Sequence, residues 1–220
     1  MRVGVLALQG DVPEHVRALA GMLPTDSIRP VRRPADLEGI VAMFLPGGES
    51  TTIARLLSDT GLRAPLAECI RAGLPVLATC AGLILLAREV EASPGGRDPE
   101  PIGGLDVVVR RNDYGSQRES FEGSVAVQGL DRPFPGVFIR APRILRTGPG
   151  VEVVARWQDQ VVGVRQGPLW GLSFHPELSG DGRLHALFLA ETLGFGQRSS
   201  TAAQRNTSKS RTKPATTAVQ

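Results

Sequence analysis

Residues 76–86 read Val76-Leu77-Ala78-Thr79-Cys80-Ala81-Gly82-Leu83-Ile84-Leu85-Leu86, an apolar strand that passes through small residues directly into an apolar helix. A turn of this kind pushes the residue at its tip outward, provided that small side chains two positions before and after it let strand and helix approach. Ala78 and Gly82 meet that condition, and Cys80 is the tip. The unpaired N–H groups of a helix start and the positive end of its dipole favour a thiolate there. Read alone, Cys80 is equally well a small buried hydrophobe. Cys69 lies in the amphipathic stretch Leu66-Ala67-Glu68-Cys69-Ile70-Arg71 with no activating neighbour, and reads as structural.

A cysteine nucleophile needs a base and a group to orient that base. Gly171-Leu172-Ser173-Phe174-His175-Pro176-Glu177 holds the one His-Pro-Glu of the chain, at the end of an apolar run. Proline fixes its own φ and biases the residue before it toward extended backbone, so residues 175 and 177 project to one side. An imidazole there can take the thiol proton and return it to a leaving amine, while the carboxylate on its other nitrogen sets the tautomer. His15 and His185 lack a carboxylate at that spacing and are expected to be ordinary surface or capping residues. Acyl transfer also needs N–H donors for the developing oxyanion. Phe44-Leu45-Pro46-Gly47-Gly48-Glu49-Ser50-Thr51-Thr52 ends a strand in two conformationally free glycines and then offers Ser or Thr as a helix cap. By itself such a pair is a turn as readily as an oxyanion site.

These groups sit at the ends of apolar runs with the character of parallel strands buried on both faces: residues 3–8, 40–45 and 75–79, each followed by helical periodicity over 13–22, 53–57 and 83–90. Residues 93–101, rich in Pro and Gly, form a loop. Beyond it the segments are β-branched and strand-like at 107–109, 124–127, 137–139, 151–155, 161–164 and 169–174, before a last helix over 182–193. The expected architecture is α/β, with a central, mostly parallel sheet, helices on both faces and antiparallel strands in the second half.

The formal charge of +3 sits largely at the end of the chain, where residues 197–220 carry Arg198, Arg205, Lys209, Arg211 and Lys213 and no acid. Residues 1–196 are therefore a mildly acidic single domain, and 197–220 a Ser/Thr-rich basic tail expected to be disordered, so no nucleic-acid role is inferred. The apolar start breaks at Gln9-Gly10-Asp11, too early for a signal segment or a membrane span. Two cysteines and three scattered histidines supply neither a disulfide framework nor metal-ligand spacing, so no metal or cofactor is expected and a reducing cytoplasm is the natural setting.

Taken in order, the segments resemble the class I (triad) glutamine amidotransferases and, more narrowly, the glutaminase subunits of pyridoxal 5′-phosphate synthase. The carrying stretches are Leu6-Ala7-Leu8-Gln9-Gly10, Gly47-Gly48-Glu49-Ser50-Thr51-Thr52, Thr79-Cys80-Ala81-Gly82-Leu83, the block 111–122 opening on Arg111-Asn112, Phe138-Ile139-Arg140-Ala141-Pro142 and Ser173-Phe174-His175-Pro176-Glu177-Leu178. The resemblance implies a flavodoxin-like fold and hydrolysis of L-glutamine to L-glutamate and ammonia. It makes Cys80 the nucleophile, His175 and Glu177 its relay, and Gly48, Glu49, Ser50, Arg111, Ile139 and Arg140 the glutamine contacts. It further implies that the ammonia passes to a synthase subunit in a large oligomeric core, which builds pyridoxal phosphate from a pentose phosphate and a triose phosphate. The elbow geometry then nominates the N–H groups of Gly48 and Ala81 as oxyanion donors.

Tyr114 and Ser116 depart from the family's usual Phe and Arg in the 111–122 block, without touching the Cys-His-Glu set. Another class I glutaminase would share Cys80, His175 and Glu177 but not Gly-Gly-Glu-Ser-Thr-Thr or Phe-Ile-Arg-Ala-Pro. A non-catalytic module on the same fold would need none of the three.

Overall fold

The computed structural model describes residues 1–91, 98–111 and 120–194. Residues 197–220 and the Tyr114 and Ser116 departures lie outside that range, as do most of residues 93–101. Among the described residues, twelve strands and five α-helices run in the order β1 (Arg2–Leu6), α1 (Val12–Ala20), β2 (Ile28–Val31), β3 (Ile40–Leu45), α2 (Ser50–Asp59), α3 (Arg63–Arg71), β4 (Val76–Thr79), α4 (Ala81–Leu86) and β5 (Ala87–Val90), then β6 (Leu105–Arg110), β7 (Phe121–Val127), β8 (Phe134–Phe138), β9 (Arg143–Thr147), β10 (Glu152–Trp157), β11 (Gln160–Gln166), β12 (Leu169–Leu172) and α5 (Arg183–Leu193).

The main sheet has the order β2-β1-β3-β4-β12-β11-β10-β7-β8. Its first five strands pair in parallel, and its last four continue from β12 by antiparallel pairing. β4 and β12 are buried at every position, as central strands covered on both sides must be. On one face Ile53, Leu57, Leu66 and Leu83 of α2, α3 and α4 pack with Leu6, Leu45 and Ala78. On the other, Leu19 of α1 and Leu184, Phe188 and Leu189 of α5 pack with Val3, Phe44 and Trp170. The α/β layering with antiparallel strands in the second half is the one expected. Among the described residues no helix is long and apolar enough to cross a membrane.

The local differences have identifiable causes. The helix expected over 83–90 stops at Leu86, and Ala87 turns extended so that β5 can pair with β6 in a second, three-stranded sheet β5-β6-β9. The apolar run across that point carries no breaker, so nothing local marks the change. β2 is a four-residue edge strand containing Pro30, tolerated there because an edge leaves an N–H side unpaired. The strand expected over 137–139 is β8, which ends at Phe138, so Ile139 belongs to the following loop.

Candidate active site

β1, β3, β4 and β12 lie parallel, and their carboxyl ends open on one edge of the sheet. From there α1 leaves to one face while α2 and α4 leave to the other. A crevice forms where the connections diverge in this way. The loops after these strands carry Gln9 to Asp11, Gly47 and Gly48, Cys80, and His175. They enclose a cleft of about 250 Å³ lined by Gln9, Asp11, Gly48, Glu49, Ser50, Cys80, Ile84, Arg111, Ile139, Arg140 and His175.

Cys80 sits between β4 and α4 at φ 47° and ψ −103°, a conformation that costs a non-glycine residue about 1–3 kcal/mol. The surrounding structure enforces it. Cys80 N–H donates to Leu172 O at 2.8 Å, and a Cβ at Gly82 would stand 2.1 Å from the Leu45 carbonyl oxygen, so only glycine lets α4 approach β3. The thiol donates to Ile139 O at 3.8 Å, which makes the contact of Ile139 a backbone one. With only six residues, α4 presents its first-turn N–H groups rather than a large helix dipole. Ala81 opens that turn.

His175 is 2% exposed and is fixed through its backbone, its N–H donating to Val137 O at 2.8 Å. Its Nδ1–H is shared between Glu177 Oε1 at 2.9 Å and Asp11 Oδ2 at 3.1 Å. Nε2 is buried and has no hydrogen-bond partner among the described residues. Burial works against charging the ring, but the Asp11 carboxylate, the Cys80 sulfur and Glu177 outweigh it and raise the imidazole well above its ordinary value. The Gly47-Gly48 pair makes room for this arrangement. A Cβ on Gly47 would lie 2.2 Å from His175 Cε1, and one on Gly48, whose φ is +148°, 2.6 Å from Gln9 Oε1.

Glu49, rather than the Ser or Thr expected, is the N-cap of α2, because its carboxylate reaches the first-turn N–H groups of Thr51 and Thr52. Its Oε2 accepts from Thr52 N–H at 2.7 Å, Thr52 Oγ1 at 2.8 Å and Thr51 Oγ1 at 2.5 Å, and its Oε1 from Thr51 N–H at 3.3 Å. Burial alone would raise the carboxyl, but the hydrogen bonds from Thr51 and Thr52 together outweigh it and hold the group at about 2. The Gly-Gly-Glu-Ser-Thr-Thr stretch is thus a self-capping helix start. Arg111 adds a contact to Glu49 Oε1 at 3.2 Å and lies 3.6 Å from Asp98. Arg140 enters the cleft from a residue held at φ 42°. Ser50 is buried as the first residue of α2.

Of the residues singled out from sequence, Cys80, His175, Gly48, Glu49, Ser50, Arg111, Ile139 and Arg140 line one cleft, with Glu177 directly behind His175 and Ala81 behind Cys80. Cys69, half-buried on α3, is not among them. Asp11 was not foreseen, although its place just after a strand-ending Gln9-Gly10 turn matches the other loops of the site. His15 and His185 correct an expectation: both are fully buried rather than surface or capping residues. The signal was their spacing, since His15 is four residues from buried Leu19 and His185 three and four from buried Phe188 and Leu189.

The family model for the SNO glutamine amidotransferases matches residues 5–193. A pyridoxal 5′-phosphate synthase subunit PdxT from Parafrankia is 56% identical over 192 residues, 86% of this chain and 91% of that protein. Its counterpart from Methanothrix thermoacetophila is 50% identical over 188 residues, 86% of this chain and 98% of the relative. Among solved structures, a glutamine amidotransferase aligns at a TM-score of 0.79 and 46% identity, covering 88% of this chain and all of the other. A second glutamine amidotransferase, from Thermotoga maritima, at 16% identity and a TM-score of 0.56 over 93% of this chain and 92% of its own, shares the fold. With a matching family model over nearly the whole described chain, and relatives at half identity across nearly their whole length, the chain belongs to the SNO glutamine amidotransferase family.

Proposed function

We propose that this protein is the glutaminase subunit of a pyridoxal 5′-phosphate synthase, hydrolysing L-glutamine to L-glutamate and ammonia in the cytoplasm and passing the ammonia to a synthase subunit. The observation that carries the chemistry is the placement of Cys80, in a strained outward turn, on the same cleft as an imidazole backed by two carboxylates. The partner rests on the relatives' name, pyridoxal 5′-phosphate synthase subunit PdxT.

In this reading Cys80 gives its thiol proton to His175, and Sγ attacks the side-chain amide carbon of glutamine. The amide oxygen becomes negative within reach of the N–H groups of Gly48 and Ala81, which gain strength as the charge develops. His175 delivers a proton to the nitrogen, ammonia leaves, and a γ-glutamyl thioester remains on Cys80. Water then attacks the thioester with His175 as base, releasing glutamate and restoring the thiol. Glu177 and Asp11 hold the ring so that Nε2 faces the reacting atoms. Arg111 and Arg140 supply positive charge for the substrate carboxylate, and Glu49 negative charge for its ammonium.

The test is glutamate release by Cys80→Ala in the assembled complex with the synthase subunit. The proposal expects a fall of at least about 10³-fold. Release at the wild-type rate would rule out Cys80 as nucleophile.

A further inference from the structure

Two imidazoles lie fully buried on the α1 and α5 face of the sheet, beside a cluster of aliphatic and aromatic side chains. His15 on α1 has its ring centroid 5.8 Å from that of Phe44, and Phe44 stacks on His185 of α5 at 5.6 Å. Leu or Phe at these positions would avoid the desolvation cost of buried ring nitrogens. Three of the four nitrogens are nevertheless aimed at polar atoms. His15 Nδ1 is 3.2 Å from His185 Nε2, and His15 Nε2 is 3.2 Å from Thr79 Oγ1 and 3.5 Å from Glu177 Oε2. Thr79, the residue before Cys80, donates its hydroxyl to Glu177 Oε1 at 3.3 Å.

The protons of this chain follow by elimination. An ionised Glu177 only accepts, so Thr79 spends its single proton on it and must accept from His15 Nε2–H. His15 Nδ1 then carries no proton and accepts from His185 Nε2–H. His185 Nδ1 is left as the buried acceptor with no partner among the described residues. Both rings are neutral in this arrangement, in keeping with the lowering that burial imposes on each. Every polar hydrogen of the chain points toward the carboxylate behind His175.

We propose that His15 is a positioning residue for the glutaminase reaction: through Nε2–H, directed at Thr79 Oγ1 and Glu177 Oε2, it holds Glu177 ionised and in line with His175. The inference rests on the reading of Cys80, His175 and Glu177 as the reacting set. Glu177 is the group that needs such support, because it is buried, presents one oxygen to His175, and leaves Oε2 with no hydrogen bond of ordinary length among the described residues. The charged and titratable groups facing His15 are Glu177 and His175 from the turn after β12, His185 from α5, and Asp11 and Glu14 from its own end of α1.

The test compares His15→Phe, which keeps a ring and removes both nitrogens, with His15→Gln, whose amide N–H can stand in for Nε2–H. Both are assayed as the full complex with the synthase subunit. His15→Phe is expected to lower kcat about ten- to a hundredfold with KM for glutamine unchanged, the range by which partners that orient a reacting group tune it. Without its donors Glu177 protonates more readily, so the acid limb of the pH profile moves to higher pH. His15→Gln is expected to recover most of kcat and the wild-type limb. Wild-type kcat and an unmoved limb in His15→Phe would overturn the proposal, as would equal impairment of both variants with an unmoved limb. Should His15→Phe fail to fold, Thr79→Val interrupts the same chain and is read by the same two outcomes. Labelling of wild-type Cys80 by a diazoketone analogue of glutamine separates the two levels: if it occurs while these variants behave as wild type, only the role of His15 fails, and if it does not occur, the reacting set fails with it.

Discussion

Gly47→Ala is the smallest change that should separate the imidazole from its working position. Gly47 needs no positive φ, so its backbone accepts alanine and the effect is one of space. The added Cβ would stand 2.2 Å from His175 Cε1, 2.6 Å from Nδ1 and 2.8 Å from Asp11 Oδ2, against 3.4 Å for ordinary contact. The ring must therefore retreat by about 1.2 Å. It has little room to do so, since its backbone is tied to Val137 and its Nδ1 to Glu177 and Asp11. Overpacking of this kind costs about 1–3 kcal/mol, which in a domain of this size lowers Tm by roughly 2–4 °C per kcal/mol. A misplacement of about 1 Å in a reacting group costs on the order of 10² in rate. Glutamate release in the complex should thus fall about a hundredfold in kcat, with a drop of several degrees in Tm by differential scanning calorimetry. Wild-type kcat in a folded Gly47→Ala protein would refute the account of why a glycine pair stands there.

Three further outcomes follow from the same geometry. Gly82→Ala meets the Leu45 carbonyl oxygen rather than a side chain, so no rotamer relieves it; chemical denaturation should show a loss of about 3 kcal/mol or more. Glu49→Ala removes the cap of α2 as well as a charge from the cleft, and should cost about 1 kcal/mol of stability by denaturant titration while raising KM for glutamine. The pH dependence of stability has a definite sign. Burial holds His185 down to about 3 and lowers His15, so the stability owed to these neutral rings is complete above about 6.5 and drains as pH falls. His175 is raised, so its contribution is complete below 6.5 and is lost only as pH rises. Between about 6.5 and 4.5, before the carboxylates titrate, stability should therefore fall with pH by at most about 1.4 kcal/mol per unit for each of the two rings. Unfolding titrations across that window should show a shallower slope for His185→Phe, and an equal slope would contradict the buried neutral assignment.

The parallel strands β1, β3 and β4 were legible because a strand buried on both faces leaves a continuous apolar run. Residues 40–45 coincide with β3, and 182–193 differs from α5 by one residue. Cys80, His175 and the Gly47-Gly48 turn were legible because they sit at strand ends, where local chemistry announces itself, whereas Arg111, Ile139 and Arg140 were nominated by the family resemblance alone. What escaped depends on partners distant in the chain. β5 is an extended segment only because β6 lies beside it, and β2 is too short and too near a proline to declare itself. Asp11 and His175 are far apart in sequence and meet only because β1 and β12 end on the same edge of one sheet. The buried histidines had a readable signature in their helical spacing, but their carboxylate partner lies on another element, which no local search for acid-base pairs reveals.

The most direct test of the central claim is covalent. The complex of this chain with its synthase subunit should be treated with a diazoketone analogue of glutamine, digested, and read by mass spectrometry. The account predicts one adduct, on Cys80, formed in step with loss of glutaminase activity, slowed by glutamine and absent in Cys80→Ala. Inactivation with Cys80 unmodified, or modification of Cys69 in its place, would contradict it.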